Sequence, residues 1–117
     1  MISIKDVREQ ISSDPDNWQV YLMDFVDGFR RTKDSRAIDQ PFVLAGDNKD
    51  ALLASTVEAV CDELHIEVPE WLSNVPACAD PYFVAGLENL KAISIVESPL
   101  RFRIRKIFVL ENFLDRV

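Results

Sequence analysis

Apolar residues recur at three- and four-residue intervals along two stretches of the chain, and this spacing predicts two long amphipathic helices. The first stretch follows Asp16 and the second follows Asp47, and aspartate is favourable just before a helix begins. Their apolar positions are Trp18, Tyr21, Leu22, Phe25, Val26 and Phe29 in the first, and Leu52, Leu53, Val57, Val60, Cys61 and Leu64 in the second. Such helices must bury their apolar sides against other elements, so a helical bundle is expected.

Shorter helical patterns lie on either side of these two. The stretch SIKDVREQI predicts a short helix that begins after Ser3 and ends near Pro15. A further helical pattern follows Gly86 and ends at Pro99, because proline cannot continue a helix. Its apolar positions are Leu87, Leu90, Ile93, Ile95 and Val96.

Three prolines between Pro69 and Pro81 separate the second long helix from the last helical pattern. Proline donates no backbone hydrogen bond and restricts the residue before it, so this segment is expected to cross the fold irregularly. Trp71 and Phe83 are expected to anchor the crossing to the core, because large aromatic side chains in a loop are usually packed down.

The end of the chain allows two interpretations. RFRIRKIFV alternates as a strand does, with Phe102 and Ile104 on one face, whereas ESPLRFR begins as a helix does, with Ser98 as cap and Pro99 at the first helical position. We expect a short helix, an extended IFV segment and a final helical turn at ENFLDRV. A lone strand would leave its backbone groups unpaired.

These patterns predict an all-α fold: a small bundle of four to five helices, with the proline-rich crossing and a short extended segment near the C-terminus. The 117 residues are expected to form a single domain, because their 48% hydrophobic content suffices for one core. The predicted core comprises Phe25, Val26, Leu53, Val57, Val60, Trp71, Leu90, Ile93, Phe102 and Phe108.

Composition narrows the class of protein. Charged residues from Lys5 to Glu9 precede any apolar run, so no secretory signal peptide is expected, and no stretch approaches the roughly 18 apolar residues of a membrane span. We therefore expect a cytoplasmic protein with no membrane contact. In that reducing compartment Cys61 and Cys78 are expected to be buried thiols.

The residues that usually carry catalysis are sparse. His65 is the only histidine, and it follows Cys61 at the i, i+4 spacing of one helix face, so a thiolate pair would need a converging carboxylate as well. The three glycines are too scattered to form a phosphate-binding loop, and the acidic pairs match no metal-loop spacing. We expect no catalytic residue, cofactor or metal site, and hence a protein that is not an enzyme.

Two basic clusters stand out in a chain of net charge −7. They consist of Arg30, Arg31, Lys33 and Arg36, and of Arg101, Arg103, Arg105 and Lys106, and the second set is called the basic hook. The planar fork of arginine suits both carboxylate and phosphate. Because acidic residues are in excess, pairing with the chain's own carboxylates or with a partner protein is favoured. Binding of nucleic acid through residues 30–36 and 101–106, as one merged patch, is the alternative.

The last residues, ESPLRFRIRKIFVLENFLDRV, resemble the closing pattern of a little-characterised group of bacterial proteins. The pattern matches Ser98, Pro99, Phe102, Arg103, Arg105, Ile107, Phe108, Val109, Leu114 and Arg116. Position 106, where the pattern leads us to expect Asn or Gly, is Lys106 here. Weaker similarity, including VPEWL with Pro69 and Trp71, extends the resemblance to about residues 16–117.

Members of that group occur alone or behind a helix-turn-helix regulator domain and are described as uncharacterised or as antitoxin-like components of toxin–antitoxin loci. The resemblance implies a non-enzymatic, antitoxin-like or regulatory protein that binds and restrains a protein encoded nearby. An acidic face would mask a basic site on that partner. The candidate residues for this face are Asp24, Asp27, Asp34, Asp62, Glu63 and Glu67, and Arg103 and Arg105 are expected to hold the basic hook in place.

Overall fold

The computed structural model describes residues 2–86 and 90–115. The described part is mostly helical. Its α-helices are α1 (Ile4–Ser13), α2 (Trp18–Thr32), α3 (Asn48–Leu64), α4 (Lys91–Glu97) and α5 (Leu100–Arg103), with 3₁₀ turns at Pro15–Asn17, Ser35–Ala37 and Glu70–Asn74. Two strands, β1 (Tyr82–Phe83) and β2 (Ile107–Phe108), form a small parallel sheet. None of the described helices combines the length and the apolar character that crossing a membrane requires.

Side chains cap the N-termini of two of the predicted helices, α1 and α3. Ser3 accepts a hydrogen bond from the Asp6 amide and the Asp6 carboxylate accepts one from the Ser3 amide, which forms a capping box at α1. Asp47 accepts from the Lys49 amide at 2.9 Å at the start of α3. The prediction that Asp16 caps α2 is wrong, because Asp16 lies within a 3₁₀ turn and α2 begins at Trp18.

Helices α1, α2 and α3 enclose most of the core. Of the predicted core residues, the buried ones are Phe25, Val26, Leu53, Val57, Val60 and Phe102, whereas Trp71, Leu90 and Phe108 are half-buried. Trp71 anchors the proline-rich crossing as expected, because its indole Nε1 donates to the Ile38 carbonyl at 2.9 Å. The placement of Ile93 in the core is wrong, since this side chain is 47% exposed.

The extended segment near the C-terminus pairs with the proline-rich crossing. Tyr82 lies opposite Ile107 and Phe83 opposite Phe108, and the rings of Phe83 and Phe108 stack with centroids 5.1 Å apart. The predicted strand therefore has the partner that its backbone groups require, and the fold is not purely helical. The predicted helix at ENFLDRV is wrong for the described residues, because 111–114 form turns.

Lys106 makes the turn from α5 to β2. Its φ angle is 62°, in the left-handed region that favours glycine or asparagine. Lysine is less stable than asparagine or glycine in this conformation, so Asn or Gly at position 106 would reduce the backbone strain. The Leu87 position of the predicted last helix lies outside the described residues.

Gly28 lies inside α2 without a conformational reason for being glycine. Its φ angle is not positive, and a β-carbon built on it would meet no atom within 4 Å. It lines an open cleft of about 430 Å³ together with Phe25 and Phe29. Glycine in a helix interior costs stability because the unfolded chain has more freedom to lose.

Gly28→Ala is therefore expected to raise the free energy of unfolding by about 0.5–1 kcal/mol, measured by urea denaturation. Gly86→Ala is the matched control, because Gly86 has a φ angle of 72° and alanine would be strained there. This control should lower the free energy of unfolding. Destabilisation by Gly28→Ala would show that the glycine is required by packing.

Candidate interaction surface

Buried residues between positions 98 and 109 attach the C-terminal segment to the rest of the fold. The Ser98 hydroxyl accepts a hydrogen bond from the Val109 amide at 2.8 Å and lies 3.1 Å from the Val109 carbonyl oxygen. Phe102, Ile107 and Val109 are buried against α3 and the crossing. Ser98, Phe102, Ile107 and Val109 of the terminal pattern thus stabilise the fold.

Arg105 lies at the centre of this attachment. Its side chain is buried and forms an ion pair with the equally buried Glu58 of α3. The guanidinium also donates to the Leu72 carbonyl at 2.8 Å, to the Val75 carbonyl at 3.4 Å and to the Ser55 hydroxyl at 3.4 Å. Arg105 therefore connects α3, the crossing and the basic hook, and its guanidinium does not face solvent.

Arg101 of the basic hook also pairs with α3. Its guanidinium donates to both carboxylate oxygens of Asp62, at 2.8 and 3.0 Å, and lies 3.6 Å from Glu58. The hydrogen bond from Arg101, together with its positive charge, lowers the pKa of Asp62 below its usual value, although partial burial opposes this. The same bond raises the pKa of Arg101.

Residues of the first basic cluster pair with residues of the predicted acidic face. Arg30 donates to both oxygens of Glu63, at 2.9 and 2.8 Å, and to the Leu114 carbonyl at 2.8 Å. Arg36 pairs with Asp34, and hydrogen bonds from the Arg36 side chain and amide lower the pKa of Asp34 to about 2. Asp34, Asp62 and Glu63 are therefore engaged within the chain.

The other predicted charged residues are more open. Asp24 is exposed on α2 and Asp27 is half-buried there, and each already has an interaction within the chain. Glu67 is exposed after α3. Arg31 and Lys33 are exposed at the end of α2, and exposed Lys106 lies with its Nζ 3.5 Å from the Ala79 carbonyl.

Arg30 pairs with Glu63 and Arg101 pairs with Asp62, and these two carboxylates belong to consecutive residues of α3. The two basic clusters are thus not on opposite sides of the fold. Arg30, Arg36, Arg101 and Arg105 nevertheless contact carboxylates, and Arg105 is only 5% exposed. A merged phosphate-binding patch would require Arg30, Arg101 and Arg105 to leave these partners.

Helix α4 buries polar residues and exposes apolar ones. Ser94 is its buried residue, and its hydroxyl donates to the Leu90 carbonyl at 2.8 Å. Ser98, one helical turn later, is also buried, with its hydroxyl bonded to the Ser94 carbonyl. The serine side of the helix faces the fold, and the isoleucine and valine side chains point outwards.

The exposed aliphatic side chains of α4 and of α5, two helices that follow each other in the chain, are together named the α4–α5 apolar surface. Its members are Ile93, Ile95, Val96, Leu100 and Ile104, and their exposed fractions lie between 45% and 77%. Leu100 and Ile104 are one helical turn apart and share a face. Arg103 is exposed and makes one hydrogen bond between the two helices, from its Nη2 to the Ile95 carbonyl at 3.0 Å.

The apolar residues of α4 did not indicate which of its sides is buried. Ile93, Ile95 and Val96 are spread around the short helix, so they define no single stripe. The informative signal is the pair Ser94 and Ser98, four residues apart, which marks the buried side, and Ser98 of this pair bonds to Val109.

Cys61 and His65 are not arranged as a catalytic pair needs to be. Cys61 is fully buried, and this burial raises the pKa of its thiol to about 11, so the thiolate is disfavoured. His65 is exposed and ends α3 with a φ angle of 57°. Within the described residues, no group of His, Cys, Asp and Glu has the arrangement of a metal site.

Comparisons of this chain with family models, with curated proteins and with solved structures found no match. A function can therefore be inferred only from the chemistry of the surfaces described above. Among these, the α4–α5 apolar surface is the one whose residues have no evident role in stabilising the fold.

Arg105→Met should lower the free energy of unfolding by about 3–5 kcal/mol, because the buried Glu58 carboxylate would lose its closest cation. Chemical denaturation measures this change. Arg103→Ala is the control and should change stability by about 0.5 kcal/mol or less, since Arg103 is exposed. If Arg105→Met combined with Glu58→Met is no more stable than Arg105→Met alone, the lost ion pair is not the cause.

Cys61 and Cys78 are expected to resist alkylation by iodoacetamide in the folded protein at about pH 8, because both are buried and burial raises both pKa values. Mass spectrometry should find both modified after denaturation in urea. Rapid modification of Cys61 in the native protein would instead indicate an accessible, activated thiol.

Proposed function

We propose that this chain is a protein-interaction module of the cytoplasm, an antitoxin-like or regulatory component that binds and restrains a protein partner without catalysing a reaction. The observation that carries this proposal is the α4–α5 apolar surface. Large aliphatic side chains grouped on one surface are unfavourable in water, and such groups commonly mark protein contacts.

The size of the apolar surface limits how tightly it can bind a partner. Complete burial of one Val, Leu or Ile side chain contributes about 1.5–3 kcal/mol, so burying the exposed parts of five contributes on the order of 4–9 kcal/mol. Association itself costs an estimated 4–15 kcal/mol. The apolar surface alone would therefore give a weak complex, and polar contacts around it are needed for a tight one.

The acidic face remains a secondary part of the proposal. Asp24 and Asp27, which also have interactions within the chain, and Glu67 would contribute long-range attraction to basic residues of the partner outside the segment that the apolar surface binds. Asp34, Asp62 and Glu63 would have to exchange their own arginines for those of the partner. For this reason we assign the main contact to the α4–α5 apolar surface.

Nucleic acid is a less suitable ligand for this surface. Its members are all aliphatic, whereas single-stranded nucleic acid is bound by aromatic stacking and duplexes by clustered free cations. The arginines that would supply those cations are largely paired with carboxylates. The net charge of −7 also disfavours approach to phosphate.

Val96→Asp is expected to reduce capture of the partner at least about tenfold, since a carboxylate would be desolvated in an apolar contact. Tagged wild type and variant would be purified from the native host, with and without nuclease, and bound proteins quantified by mass spectrometry. Val43→Asp is the matched control, because Val43 and Val96 are both 77% exposed and Val43 lies in the connection before α3.

The proposal predicts a stoichiometric protein that survives nuclease treatment, stays with Val43→Asp and is lost with Val96→Asp. Equal loss in both variants would indicate a general effect of added charge. A partner retained by Val96→Asp would place the contact elsewhere, and recovery of nucleic acid alone would favour the alternative ligand.

A further inference from the structure

We infer that the partner segment bound by the α4–α5 apolar surface is amphipathic and acidic, with aliphatic residues flanked by Asp or Glu. This inference depends on the proposed function and names the chemistry of the partner. It differs from the sequence-based expectation, which assigned a basic site to the partner and an acidic face to this chain.

The segment that contains the surface has a formal charge opposite in sign to that of the chain as a whole. Residues 90–106 contain the cations Lys91, Arg101, Arg103, Arg105 and Lys106, and Glu97 is their only carboxylate. Glu97 accepts a hydrogen bond from the Glu111 amide at 2.9 Å. Lys91 already has an interaction within the chain, and after the pairing of Arg101 and Arg105 with α3 the exposed cations Arg103 and Lys106 remain beside the single carboxylate of Glu97.

Arg103 is the cation best placed to contact a ligand at this surface. The bond from its Nη2 to the Ile95 carbonyl holds the guanidinium beside the apolar side chains. Its Nε and Nη1 have no acceptor among the described residues, and the residue is exposed. A carboxylate is a suitable acceptor for these groups, because the planar fork of arginine matches its two oxygens.

A second copy of the chain fits this surface less well. A two-fold contact places the same patch on both sides, so the excess positive charge of this segment would be present on both sides of the contact. Like charges across an interface oppose association. An acidic segment on a different protein both covers the aliphatic residues and neutralises this charge.

The test uses three synthetic amphipathic peptides that share one Leu and Ile stripe and carry Glu, Gln or Lys beside it. Binding to the full chain is measured by fluorescence anisotropy at low and at high salt. The Glu peptide should bind at least about tenfold more tightly than the Lys peptide at low salt, and the difference should shrink at high salt because exposed charges are screened.

Two variants test the residues named here. Arg103→Glu should reverse the order of the Glu and Lys peptides, and Val96→Asp should weaken the Gln peptide, whose binding depends on apolar contact. Arg31→Glu is the control, because Arg31 is an exposed arginine of α2, and it should leave the order unchanged. Circular dichroism establishes that each variant is folded.

Equal binding of the Glu and Lys peptides, tighter binding of the Lys peptide, or no binding of any peptide would overturn this inference. If Val96→Asp still prevents capture of the host partner in these cases, the proposed function stands and only the acidic chemistry is wrong. Self-association in sedimentation velocity that Val96→Asp removes would make a second copy the occupant and overturn the inference. So would a DNA oligonucleotide that binds wild type and is released by Arg103→Glu.

Discussion

The buried ion pair between Arg105 and Glu58 is the interaction on which the C-terminal half of the structure depends. It connects the basic hook to the middle of α3, and the bonds from Arg105 to the carbonyls of Leu72 and Val75 fix the proline-rich crossing at the same point. Buried charges are stable only when they are paired and fully hydrogen-bonded. Arg105 thus joins α3 to the chain just before β2, and β2 in turn pairs with β1, while Val109 after β2 bonds to Ser98 at the end of α4.

The two long helices were predictable because their stripes are continuous. The stripes from Trp18 to Phe29 and from Leu52 to Leu64 each extend over about three turns, and they include the buried residues Phe25, Val26, Leu53 and Val57. The strand pairing and the orientation of α4 were not predictable in the same way. Both depend on contacts between residues far apart in sequence, such as Ser98 with Val109 and Tyr82 with Ile107. Local spacing contains no information on these contacts.

The candidate site was predicted less well than the fold, for an electrostatic reason. In the sequence, acidic and basic clusters appear as separate features, and each suggested a ligand of opposite charge. In the folded chain, Asp62 meets Arg101 and Glu63 meets Arg30, so much of the charge in both clusters is neutralised internally. Acidic and basic clusters that are distant in sequence can thus form ion pairs with each other when the chain folds. A ligand can be inferred only from the charges that remain after this pairing.

The orientation of α4 is set by a balance between apolar burial and hydrogen bonding. Turning Ile93 and Val96 inwards would gain apolar burial, but it would expose Ser94 and Ser98 and break the bond that the Ser98 hydroxyl accepts from the Val109 amide. An unpaired buried amide at Val109 would cost about 1–3 kcal/mol, which offsets much of the gain. The hydrogen bonds thus hold the aliphatic side chains outside, where only another molecule can cover them. Because these bonds are internal to the fold, the surface is already formed before a partner arrives, and binding need not supply the free energy to create it.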